Sequence, residues 1–143
     1  MAVPYTIAAN GLATIITTEF TPEGVVPVHD ELHESLGRTG RAVGISLERE
    51  APMRRARMGQ EIFLKVQWFE QWEDEVDPSI VKDPRTIATL ANRLQLAMAA
   101  ASLTYSGDFW YFIWEGTEYP RDPTGNKTRF VMYVRAFANN PAA

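Results

Sequence analysis

The chain has 143 residues, 45% of them apolar and 22% charged, with a formal net charge of −4. These values fit one globular domain spanning 1–143 and argue against a disordered chain, a coiled-coil rod and a general nucleic-acid binder. Cysteine is absent, which removes disulfides, thiolate zinc sites and a cysteine nucleophile, and fits a reducing compartment.

The start, "MAVPYTIAANGLATIITTEF", carries no basic leader and reaches Glu19 before any long apolar run, so neither a signal peptide nor a membrane span is expected. Residues 4–20 read as a helix, with Ile7, Leu12, Ile15, Ile16 and Phe20 near one face and alanines between them. Residues 25–41 are irregular. Within them "HDELH" spaces His29 and His33 at i and i+4 with an acid after the first. Zinc peptidases use that spacing to turn two imidazoles toward one metal. Here the acid is Asp30, a methylene shorter than glutamate, and the sequence has no third histidine, so a structural or solvent-exposed pair is the better reading.

Val43, Ile45 and Leu47 alternate with Gly44, Ser46 and Glu48, the period of a half-buried strand. Residues 60–72, "QEIFLKVQWFEQW", form the clearest strand, with Ile62, Leu64, Val66 and Trp68 on one face. Asp83-Pro84 opens a second helix with an N-cap acid and a first-turn proline, and Ile87, Leu90, Ala91, Leu94, Met98 and Ala101 recur at three and four. "FWYFIWEGTEY" and "TRFVMYVRAFANN" then read as two more strands, and residues 138–143 as a loose tail. The order α-β-β-α-β-β predicts an α+β fold, a mainly antiparallel sheet of about four strands with both helices on one face.

The segment "YPRDPTGNKTRF" echoes a phosphate-binding Gly-Lys-Thr, but one glycine precedes Asn126-Lys127 and a strand follows, where a P-loop needs several glycines and a helix. Asp122-Pro123-Thr124-Gly125 fits a type I turn, so the stretch reads as a hairpin loop. No Gly-x-Ser-x-Gly occurs, and the paired acids lie in an acidic loop that needs no catalytic explanation. Taken together, no coherent catalytic constellation is present, and no cofactor is expected.

Charge is distributed in blocks. Residues 38–57 carry six arginines against two glutamates, and residues 70–83 six acids against Lys82. Two readings stay open: solvated loops, or complementary patches that meet across a subunit boundary. On the second reading the candidate contacts are Arg49, Arg54, Arg55 and Arg57 against Glu70, Glu73, Asp74, Glu75 and Asp77. "FWYFIW", residues 109–114, is apolar at six consecutive positions, so both faces of that strand need cover. Either residues 21–41 fold over the second face, or another subunit does. The latter is the preferred expectation, with Trp110 or Trp114 as the outward anchor.

The stretches "YTIAANGLATIITTEF", "HDELHESLGR" and "YPRDPTGNKTRF", with the compact size and helix–sheet–helix–hairpin order, resemble the tail terminator proteins of long-tailed bacteriophages, especially those of actinobacterial hosts. The resemblance spans nearly the whole length. It implies a small α+β subunit that assembles as a six-membered ring, caps the tail tube, stops polymerisation of the major tail tube protein and docks the head-tail connector protein. Genomic DNA would pass through the lumen without sequence-specific binding. The protein would reside in the virion at the head-proximal end of the tail, assembled in the bacterial host cytoplasm, with no membrane, cofactor or catalysis. A different neck protein of the same phage type is the near alternative, and a zinc hydrolase using His29 and His33 the distant one. The hairpin loop, with Tyr119, Arg121, Asp122, Lys127 and Arg129, is the candidate surface for docking tube or connector.

Overall fold

The structure, a computed structural model, describes residues 4–30, 40–52, 60–71, 84–105, 108–121 and 127–139. Helix α1 is Pro4–Glu19 and helix α2 Pro84–Ala100. The strands are β1 Gly40–Pro52, β2 Gln60–Gln71, β3 Ser102–Tyr105, β4 Asp108–Glu118 and β5 Lys127–Asn139. They form one sheet in the order β1-β2-β5-β4-β3, and every named pair is antiparallel. The expected α+β class and element order are present, with the four-residue β3 added as a short strand on the far margin. Because β5 runs through Asn139, Ala138 and Asn139 belong to the sheet rather than to a loose tail.

The alternation in β2 dictates the layering. Ile62, Leu64, Val66 and Trp68 are all fully buried, as are Phe130, Met132 and Ala136 on β5, with Val134 almost so. These side chains share one face because residues two apart in a strand point the same way. Against it lie Ala8, Ala9, Leu12, Ile15 and Ile16 of α1 and Ile87, Leu90, Ala91, Leu94 and Met98 of α2. Helix α1 sits over β1 and β2, and α2 over β4 and β5. At the centre Trp68 packs between Phe20, ring centroids 4.8 Å apart, and Phe130, 5.5 Å apart. Truncating such a residue to alanine costs about 3–5 kcal/mol.

The exit from α1 is built by hydrogen bonds rather than by proline. Val25 N–H donates to the Phe20 carbonyl at 3.3 Å and Gly24 N–H to that of Thr21 at 3.0 Å, with Gly24 at φ +66°, a conformation that favours glycine. The turn directs Val25 into the core and brings Val28 beside β1, where it forms a parallel bridge to Gly44. Residues 25–30 thus lie along the margin of β1 and do not cover the second face.

Both long strands near the margins break register once, between Leu47 and Arg49 in β1 and between Trp114 and Gly116 in β4. The bulged residues are Glu48 and Glu115. Each is tied to a cation on an inner strand, Glu48 to Lys65 at 3.4 Å and Glu115 to Arg135 at 2.9 Å.

Candidate functional site

Three surfaces compete as the functional site: the face of the sheet away from the helices, its two margins, and the hairpin loop. On β4 the far face carries Tyr111 of "FWYFIW", 42% exposed, whereas on β2 its rings are covered. Arg49 lies over the Phe63 ring at 4.1 Å and Arg129 over Phe69 at 5.6 Å, and Phe69 is buried. Lys65–Glu48, Arg135–Glu61 and Arg135–Glu115 ion pairs run across it at 3.4, 3.6 and 2.9 Å. The Tyr133 hydroxyl approaches Glu118 at 3.5 Å, and burial, with the nearby Glu118 and Glu48 carboxylates, pushes its pKa above the ordinary phenol value. Cations therefore screen the two β2 rings, an arrangement worth roughly 0.5–1 kcal/mol per exposed cation–ring pair.

The expected outward anchor is also corrected. Trp114 pairs with Val134 and shares the helix-side face with Phe112, so it does not stand on the far face. It is nonetheless 42% exposed, and its indole N–H donates to Thr117 Oγ1 at 2.7 Å. Trp110 pairs with Ala138 in β4; its side chain lies outside the described residues.

Glu70 requires a second correction. It is completely buried, and one carboxylate oxygen accepts from both the Arg41 Nε–H and, at 3.0 Å, the Trp68 indole N–H. Arg41 is the cross-strand partner of Glu70 and also lies over the Trp68 ring at 5.8 Å. A carboxylate held this way closes one end of the core and cannot meet a neighbouring subunit. Strand parity gives the reason: 62, 64, 66, 68 and 70 share a face, so Glu70 follows Trp68 inward instead of joining the acids after it. Arg49 is exposed on β1. Arg54, Arg55, Arg57, Glu73, Asp74, Glu75 and Asp77 lie outside the described residues, so the charge-patch contact is neither assembled nor dismantled.

The hairpin reading of the 119–130 segment agrees with β4 and β5 being adjacent antiparallel strands, with a strand and not a helix after Lys127. Tyr119 is 49% exposed and Arg121 is exposed, and both project from the start of the loop. Asp122 lies outside the described residues, as does the side chain of Lys127. His29 is exposed in a bend after the Val28 bridge, and His33 lies outside the described residues. Among the described residues no group of three or more His, Cys, Asp or Glu side chains is placed to hold a metal ion, and no helix is long and apolar enough to cross a membrane.

Two features escaped the sequence reading. The first is a clamp between the helices. Arg93 of α2 bonds Glu23 at 2.6 Å and the Glu19 carbonyl at 3.0 Å, approaches the Glu19 carboxylate at 3.4 Å and covers the Phe20 ring at 4.4 Å. The Arg93 hydrogen bond holds the Glu23 carboxyl below its ordinary pKa, and Glu23 in turn raises that of Arg93. The second is an open cleft of about 410 Å³ between α2 and β4, lined by Gln95, Met98, Ala99, Ala101, Tyr111, Phe112, Ile113 and Trp114. Its mouth lies along the part of β4 beyond β3, since β3 pairs only with Asp108 to Tyr111.

No family model matches the sequence, and neither does any curated protein. Among solved structures the fold is similar to a chain from the virion of a native gene transfer agent particle, with a TM-score of 0.62 and 12% identity. That likeness covers 97% of this chain and 100% of the other, so the whole α-β-β-α-β-β arrangement is shared from end to end.

Proposed function

We propose that the chain is a structural subunit of a phage-like virion, and more narrowly a tail terminator: a ring, six-membered by family resemblance, that caps the tail tube and presents a surface to the head connector. The observation that carries this reading is the fold likeness to a chain of a gene transfer agent virion, which covers 97% of this chain and 100% of the other. The surfaces favour it too. Ion pairs and cation-covered rings tile the far face, while exposed apolar side chains remain for protein contacts. The hairpin loop, led by Tyr119 and Arg121, is the proposed tube or connector contact.

The test mixes purified protein with tubes polymerised from the cognate major tail tube protein and images them by electron microscopy. A terminator sits at one tube end and halts elongation. Tubes that keep growing with bare ends, in a mixture where the protein binds the connector alone, would make it a different neck component. Binding to neither would remove the virion reading. Arg121→Glu and Tyr119→Ala should each reduce end-capping while leaving the circular dichroism spectrum unchanged.

A further inference from the structure

We draw no further inference here: the strongest candidate, the open cleft between α2 and β4 lined by Met98, Phe112 and Trp114, carries none because nothing in the structure shows what covers it.

Discussion

Replacing Arg93 with methionine should destabilise the protein by about 2 kcal/mol. The side chain fixes the exit of α1 onto α2 through Glu23, the Glu19 carbonyl and the Phe20 ring. A bond to a carboxylate is worth roughly 1.5–3 kcal/mol when well desolvated, but Arg93 and Glu23 are 32 and 26% exposed, so solvent screening brings that nearer 1 kcal/mol. The carbonyl bond and the ring contact add about 0.5–1 kcal/mol each and are not fully additive. For a chain of this length the sum lowers Tm by about 4–8 °C. Methionine keeps the aliphatic stem, so packing loss does not confuse the result. Urea unfolding followed by tryptophan fluorescence measures it, because Trp68 touches Phe20. The pH dependence supplies a second readout. Arg93 holds the Glu23 carboxyl below its ordinary pKa, so this group contributes stability above the unfolded carboxylate range and loses it as pH falls through the folded value. The gap between wild type and Arg93→Met should therefore narrow in acid. A change below about 0.5 kcal/mol at neutral pH, or a gap that widens in acid, would refute the clamp; full recovery by Arg93→Lys would reduce it to charge alone.

The buried pair should behave differently. Glu70→Leu leaves Arg41 and the Trp68 indole N–H without their acceptor and should cost about 3 kcal/mol, whereas the double variant with Arg41→Met should recover much of that loss; denaturant unfolding of the four-member cycle measures the coupling, and equal costs for single and double variants would contradict it. Protein purified with added zinc and then dialysed should hold no stoichiometric metal by elemental analysis. One equivalent of zinc, lost on substituting His29 or His33, would return the hydrolase reading.

The layered core was legible because its signals are local. Strict alternation from Ile62 to Trp68 and the three-and-four spacing from Ile87 to Met98 each name a buried face without help from the rest of the chain. β3 was not legible, because Ser102 to Tyr105 follows α2 after a single residue and exists as a strand only through its pairing with β4. The Arg93 clamp was equally hidden, since its partners lie 70 to 74 residues away. Glu70 could have been found: carrying the β2 parity two residues past Trp68 places it inward, beside an indole N–H that needs an acceptor. The screened far face could have been found as well. Arg129 and Arg135 bracket Val131 and Tyr133 on one face of β5, but apolar counting drew attention to the rings and away from the cations beside them.

The register skips at Glu48 and Glu115 bear on how such a molecule stays in solution before it is used. A stranger's strand that tried to extend the sheet would zip only a few residues before meeting a displaced backbone and an anchored carboxylate. Fibril-like growth is thereby blunted at both borders. Recognition falls instead to side-chain shape, which a wrong neighbour cannot imitate as cheaply as it can imitate a peptide backbone.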